Sequence, residues 1–341
     1  MIRFIDLTNG VEIAIPEHVK FVVALGNFDG VHRAHARLLQ QALAMSQKLN
    51  AQGECDVRCA VWCFSTPSGD YLANAAGSHL TTLAERLSLF AANGISYAFV
   101  ADFPSLRNYS PHDFIEEILV QRCHVVGTVC GYNFRFGKMG AGDASLLAER
   151  FGASTAIIPK TCLSEQEETV ISSTAIRSLL SQGESERAVS FLGYPYFLCS
   201  TVLRGKQLGR TLGLPTINQC FAEEKLIPKR GIYATLCILP DGTVYPGVSN
   251  IGKRPTVDGD GQINCETHIP GISMDLYGKT VTVCFVRFLR EEKRFASLEE
   301  LQQAIRTDVL SMQDVFSATL PQTLSNGMNI VTKISKRTEI Q

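Results

Sequence analysis

The stretch richest in phosphate chemistry is Gly205-Lys206-Gln207-Leu208-Gly209-Arg210-Thr211-Leu212-Gly213-Leu214-Pro215-Thr216-Ile217-Asn218. Gly205, Gly209 and Gly213 let backbone N–H groups approach phosphate oxygens, and Lys206 and Arg210 offset their charge. Just beyond, the Thr216 hydroxyl can ligate a magnesium ion that phosphate also holds. A glycine-rich surface hairpin would have the same composition. Asn250-Ile251-Gly252-Lys253-Arg254-Pro255-Thr256 and Cys265-Glu266-Thr267-His268 follow it in strand-like sequence, and they favour the site over the bare hairpin.

A second group lies near the start, in Gly26-Asn27-Phe28-Asp29-Gly30-Val31-His32-Arg33-Ala34-His35. A turn with two glycines that leaves a strand and opens a helix is where α/β sheets hold phosphate. His32 and His35 sit at the helix start and can donate to phosphate oxygens, more strongly if its charge protonates them. The plainer reading is a capped turn with exposed histidines. A third group, Ile171-Ser172-Ser173-Thr174-Ala175-Ile176-Arg177, offers hydroxyls and free N–H groups at a helix N-terminus. It is equally an ordinary capped helix. In Gly131-Tyr132-Asn133-Phe134-Arg135-Phe136-Gly137, aromatics flank an arginine and could sandwich a planar ring.

These groups need elements to position them. In the first half, strand-like runs at 20–25, 57–64, 96–101, 124–130 and 154–158 alternate with helical runs at 35–50, 80–93, 110–122 and 144–151. Ser110 is an N-cap candidate with Pro111 at the first helical position. Such alternation predicts a parallel sheet with helices on both faces and a ligand beyond the carboxyl ends of the strands. Two helical pieces follow, at 173–182 and 184–191, ending at Gly193-Tyr194-Pro195. Runs at 196–203, 231–239, 244–251, 262–269 and 280–289, punctuated by Gly and Pro, then predict a small antiparallel β-barrel. A helix from Ser297 to about Leu310 closes it, with Ser297 and Glu300 spaced for a capping box. The fold class is therefore α/β: a Rossmann-like parallel-sheet domain, then a barrel with a C-terminal helix. The expected divisions are 1–183, 184–315 and a tail over 316–341.

With 341 residues, 45% of them hydrophobic and 19% charged, the chain can bury two cores. A net charge of −1 provides no field for nucleic acid or an anionic membrane, so phosphate recognition must be local. The 11 cysteines and the unremarkable N-terminus predict a reducing cytoplasm rather than a disulfide framework, and no apolar run is long enough to span a bilayer. Cys55, Cys59 and Cys63 read as buried thiols rather than metal ligands, since no His-rich or CxxC partner lies nearby.

Over roughly residues 15–315 the chain resembles the bacterial bifunctional riboflavin kinase/FAD synthetase family. The kinase half of the resemblance rests on the 205–218 loop and Arg230-Gly231-Ile232-Tyr233-Ala234. It continues through Gly247 to Thr256, Glu266-Thr267-His268, Asp275-Leu276-Tyr277-Gly278 and Phe288-Leu289-Arg290-Glu291-Glu292, in family order. The adenylyltransferase half rests on the 26–32 turn, Asn133 to Gly137 and Ile171 to Arg177.

The resemblance implies phosphorylation of riboflavin to FMN by ATP and Mg²⁺ in the C-terminal domain. It also implies adenylylation of FMN to FAD in the N-terminal one. Glu266 would take the proton of the 5′-hydroxyl, Thr216 and Asn218 would hold magnesium, and Arg290 would lie by the flavin. Asn27, His32, His35 and Arg177 would stabilise the triphosphate, with Gly26, Gly30, Ser173 and Thr174 lining it and Phe134 and Arg135 by the flavin. The first half departs from the family pattern in three places. Ala34 stands for a glycine, Cys63-Phe64-Ser65-Thr66-Pro67-Ser68 lacks a histidine, and Asn133 stands where aspartate is common. These departures predict FAD formation slower than FMN formation. The alternatives are a riboflavin kinase with a degenerate first domain and a non-catalytic flavin-binding regulator. The expected partners are riboflavin, FMN and ATP, with no nucleic acid or membrane; oligomeric state is not encoded in any motif.

Overall fold

In the computed structural model the described residues are 2–8, 15–53, 56–66, 78–164, 169–205, 213–253, 263–272, 274–317 and 322–338. Their contacts divide the chain into two compact units, Met1–Ser172 and Ser173–Gln341.

The first unit is built on six parallel strands: β1 (Arg3–Asp6), β2 (Val19–Leu25), β3 (Asp56–Phe64), β4 (Tyr97–Ala101), β5 (Val125–Gly131) and β8 (Thr155–Ile158). Their order is β1-β4-β3-β2-β5-β8. From β2 the chain steps outward through β3 and β4, then returns to lay β5 on the other side of β2. The carboxyl ends of β2 and β5 therefore flank a switch point, the crevice where open α/β sheets take ligands. A small hairpin, β6 (Arg135–Phe136) with β7 (Gly142–Asp143), follows β5 directly.

Nearly every residue of β2 is buried, as a central parallel strand requires. Phe21 meets Tyr97 and Phe99 edge-on, both with ring centroids 5.1 Å away. The helices are α1 (Arg33–Ala51), α2 (Leu83–Ala92), α3 and α4 (Ala144–Phe151). Ser110 caps α3, accepting from Asp113 N at 3.1 Å; α3 opens at Pro111–Asp113 and runs on in π geometry through Phe114–Arg122.

The second unit begins with α5 (Ser173–Gln182) and α6 (Ser185–Leu192). Six antiparallel strands follow: β9 (Tyr196–Thr201), β10 (Thr216–Cys220), β11 (Gly231–Ile238), β12 (Val244–Lys253), β13 (Ile263–His268) and β14 (Thr280–Arg290). Their order is β10-β13-β12-β11-β14-β9, a half-barrel whose two edges meet where Leu203 bridges Asn218. Gln219 reaches across the interior to donate to the carbonyls of Ser200 (2.7 Å) and Val281 (2.8 Å). Helix α7 (Leu298–Ser317) is capped as its sequence predicts in part: the Ser297 hydroxyl accepts from Glu300 N, but the Glu300 carboxylate returns to Ala296 N rather than to Ser297. Met312 of α7 packs on Ile232, Ala234 and Val248.

Three elements differ from the sequence expectation. β1 is too short, at four residues, to show a period. β10 (Thr216–Cys220) falls outside the strand-like runs that the sequence predicts. Gln322–Thr338, inside the expected tail, form helix α8, with Leu324, Met328, Val331 and Ile334 buried. Gly327 makes that packing possible: a β-carbon there would lie 2.6 Å from Tyr194 Cα.

Candidate active sites

The first-unit site grows from the end of β2. Gly26 is closely packed: a β-carbon there would lie 3.1 Å from the Phe28 ring, which would have to give way by a few tenths of an ångström. The turn then passes through positive φ at Phe28 (53°), Gly30 (80°) and Val31 (34°). Left-handed backbone at Phe and Val is strained, and persists only where surroundings over-determine it. Here Phe28 and Val31 are buried, with Phe28 edge-on to Phe90 at 5.4 Å. Asp29 is also buried. Its carboxylate accepts from Leu80 N, Thr81 N and the Thr81 hydroxyl, each at 3.1 Å, and the same hydroxyl accepts from Gly30 N at 2.9 Å.

The turn delivers His32 as the N-cap of α1, with Nδ1 accepting from His35 N at 3.3 Å. A neutral His32 therefore carries its proton on Nε2. The two imidazoles stack, centroids 3.7 Å apart and planes 13° from parallel. His35 is held well below the ordinary histidine range, first by burial and then by the neighbouring His32 and Arg86. Its Nδ1 is shut off from solvent without a partner. His35 is thus a neutral imidazole at pH 7, not one of a charged pair.

At the end of β5, Phe134 is half-buried and stacks on Phe136 at 5.8 Å, while Arg135 is exposed with Nη1 3.5 Å from Asp143. The switch point places this segment beside the Gly26–His32 turn within one unit. Ser173, Thr174 and Arg177 open α5, whose contacts assign it to the second unit.

The second-unit site is set by strand register. β10 pairs with β13 so that Thr216 faces His268 and Asn218 faces Glu266; β12 pairs with the other side of β13 so that Asn250 also faces Glu266. Asn218, Glu266 and Asn250 form one row across three strands, on the face opposite the Ser249–Thr267–Thr235 hydroxyl ladder. Asn264 ties the row together. Its Nδ2 donates to Asn218 Oδ1 and Glu266 Oε1, both at 3.3 Å.

A β-carbon at Gly205 would lie 2.5 Å from Asn218 Nδ2, so any larger residue there would displace the Asn218 side chain. Gly213 has φ +70°. Lys206, Gly209 and Arg210 lie outside the described residues. Thr216 lines a pocket with Pro215, Met274, Asp275 and Tyr277, and Arg204 lies over the Tyr277 ring at 5.5 Å. Arg290 forms a two-pronged pair with Asp308 of α7 (2.8 and 2.7 Å), and Nη1 donates to the Glu291 carbonyl.

The sequence reading passed over several residues of these sites. Asn264 is absent from it, and Asn250 and Glu292 appear only within motifs, yet Glu292 accepts from Asn250 Nδ2 at 3.2 Å and fills the space above Gly252. Arg86 was overlooked as well; its one signal is a charge in phase with Leu83, Leu87 and Phe90 on the apolar stripe of α2. The thiols beside the sites are inert: burial pushes Cys265 up to about 12 and raises Cys63. Among the described residues, no group of three or more His, Cys, Asp or Glu is arranged to hold a metal.

Comparisons with known proteins match both units. Residues 14–175 match the family model described as FAD synthetase, and residues 192–316 the one described as riboflavin kinase. The bifunctional riboflavin kinase/FMN adenylyltransferase of Escherichia coli K12 is 35% identical over 88% of this chain and 94% of its own. The protein of the same name from Pseudomonas fluorescens is 33% identical over 89% of this chain and 96% of its own. A crystal structure titled as a macrolide-efflux protein from Streptococcus pneumoniae is similar with a TM-score of 0.77 at 25% identity, covering 91% of this chain and 98% of that one. Among the described residues, no helix is long and apolar enough to cross a membrane.

Proposed function

The chain belongs to the bifunctional riboflavin kinase/FMN adenylyltransferase family, and we propose that its two units carry the two reactions separately. It is an enzyme of flavin-cofactor biosynthesis. The second unit phosphorylates riboflavin and the first joins FMN to the AMP part of ATP. The observation that carries the kinase assignment is the row of Asn218, Glu266 and Asn250 across β10, β13 and β12.

In the kinase reaction the 5′-hydroxyl oxygen of the ribityl chain attacks the γ-phosphorus of ATP and ADP leaves. Glu266 accepts the hydroxyl proton as the new O–P bond forms. Its carboxylate is aimed by the bond from Asn264, which also fixes the direction of Asn218 Oδ1. The donor set suits magnesium: oxygen atoms of Thr216 and Asn218, few protein ligands, and phosphate oxygens to complete an octahedron. Mg²⁺ would neutralise charge on the β- and γ-phosphates there. Gly205 brings its own backbone directly against the Asn218 side chain. Arg290, locked by Asp308, would present a fixed cation edge towards the flavin side.

In the adenylyl reaction a phosphate oxygen of FMN attacks the α-phosphorus of ATP and pyrophosphate leaves, with no covalent enzyme intermediate. Asn27, the Nε2–H of His32 and the neutral His35 are placed at the N-terminus of α1, where developing charge is stabilised. The family resemblance also assigns Ser173, Thr174 and Arg177, which open α5, to phosphate recognition. Phe134 and Arg135 flank the flavin position.

The test is purified protein with riboflavin, ATP and Mg²⁺, with FMN and FAD separated by chromatography and Mg²⁺ withheld in a parallel arm. The expected result is FMN followed by FAD, both dependent on Mg²⁺. FMN without FAD, even from excess FMN and ATP, would leave a kinase with a degenerate first unit; neither product would leave a flavin binder.

A further inference from the structure

Arg86 lies on α2 with 0% of its surface exposed. Water does not solvate its guanidinium, and an arginine this deep is normally matched by a carboxylate. Here it faces carbonyl oxygens. Nη1 donates to Asn27 O at 3.1 Å and Phe64 O at 2.8 Å, and Nη2 donates to Ser65 O. Nε has no acceptor, and among the described residues no carboxylate pairs with it. Its sequence neighbour Glu85 is turned the other way, accepting from Thr82 N at 2.9 Å in the capping box of α2.

Two consequences follow from that geometry. The guanidinium ties the turn after β2, which forms one wall of the first-unit crevice, back to the carboxyl end of β3 on the side of β2 away from β5. Its charge is also unmatched in a low-dielectric setting, so it projects a positive potential as far as the His35 ring. A buried cation left in this condition is stabilised by an anion arriving nearby.

We infer that Arg86 is a positioning residue for adenylyl transfer, holding Asn27 against the end of β3 and supplying the buried positive charge that the triphosphate and the departing pyrophosphate complete. The inference rests on the first unit being the adenylyl-transfer site. Arginine suits the role because its planar fork reaches carbonyls of two segments at once and stays charged. As the bond between the α-phosphorus and the bridging oxygen breaks, negative charge grows on the leaving pyrophosphate, where a fixed cation lowers the barrier.

The test uses the full chain with Arg86→Gln and Arg86→Lys, each checked for its melting temperature and for FMN formation in the second unit as an internal control. FAD formation is measured from FMN, ATP and Mg²⁺, with added pyrophosphate as inhibitor. Arg86→Gln is expected to raise the KM for ATP and the half-inhibiting pyrophosphate concentration roughly tenfold, because the buried positive charge acting on the triphosphate through the low-dielectric interior is gone. Arg86→Lys keeps the charge, so pyrophosphate inhibition stays within about threefold of native. Its kcat falls, because one ammonium cannot span both segments.

Equal pyrophosphate inhibition in the two folded variants, or rates that merely follow melting temperature, would overturn the inference. If Arg86→Gln does not fold, Arg86→Lys decides: a lower kcat with native pyrophosphate sensitivity supports the role, and a native kcat overturns it. If native protein forms no FAD at all, the adenylyl reading fails on its own. Pyrophosphate binding by calorimetry to native protein and both variants then tests Arg86 separately, with equal affinities counting against it.

Discussion

The two units solve the same problem, holding a triphosphate beside a flavin, with different architecture. In the first, the site is assembled from strand ends: Asn27 after β2, Phe64 and Ser65 at the end of β3, and Phe134 after β5. The ladder aligns the strand ends but stops at Leu25, opposite Trp62 and Cys130, and beyond it side chains brace the turn, Asp29 on Thr81 and Arg86 on three carbonyls. In the second, Asn218, Glu266 and Asn250 sit within paired strands, and the hydrogen-bond ladder itself fixes their spacing. Loop sites depend on buried polar anchors far away in sequence, whereas ladder sites depend on register.

The sharpest way to break the comparison is the double variant His32→Ala with Arg177→Ala. FAD formation should be abolished while FMN formation stays within a few-fold, as quantified by chromatography of both products. Loss of both activities in a folded protein would show the sites coupled.

Glu266→Gln should preserve the row and remove the base, lowering kcat for FMN formation by ~10²–10⁴-fold. FAD formation from supplied FMN should be unaffected. A native rate of FMN formation would end the assignment of Glu266.

A fragment starting near Glu184 should fold and make FMN, because the half-barrel closes on itself. A fragment starting at Ser173 should melt several degrees higher, roughly what 1–2 kcal/mol gives in a domain of this size. It retains Ile176, Leu179 and Leu180 in the core and the 3.0 Å bond from Lys229 N to Leu180 O. Equal melting temperatures would mean α5 contributes nothing to that unit.

Ala34→Gly should speed FAD formation by a few-fold if the β-carbon crowds the nucleotide, while lowering stability by up to about 1 kcal/mol. An unchanged rate would clear Ala34 and leave the altered segment after β3 as the slow point.

The smallest effect is on stability. His35 has a folded-state pKa well below its unfolded value near 6.5, so the native state binds fewer protons in that window. Stability from this residue is present above about pH 6.5 and is lost as pH falls towards the folded pKa. Denaturant titrations at falling pH should therefore show a decline that His35→Gln flattens; parallel declines in both proteins would refute a neutral buried His35.

The alternating strands and helices of the first half, the shift to closely spaced strands after Pro195, and the Ser110 cap were all legible because period and capping are local properties. Glu266 is singled out in the sequence through its place in a chain of motifs, and its role as base is a proposal. Asn264 was not legible, being one asparagine two residues before Glu266, and its contacts exist only once β10 and β13 pair. Helix α8 was missed although its stripe of Leu324, Met328, Val331 and Ile334 is regular. Thr323, Ser325, Asn326 and Gly327 in its first two turns lower its helix propensity, and tertiary burial outweighs that.

By itself the sequence determined the two-part α/β and antiparallel organisation and singled out the glycine-rich stretches and the proposed base, since each is written in residues close together along the chain. Only the tertiary structure decided the tautomer of His32, the neutrality of His35, the row shared by Asn218, Glu266 and Asn250, and the anchoring of Asn27 by Arg86. Those depend on burial and on partners 46, 51 or 59 residues apart, such as Asn218 with Asn264, Asp29 with Leu80 and Asn27 with Arg86. Spacing along a chain does not specify a distance in space until the strands between them have paired.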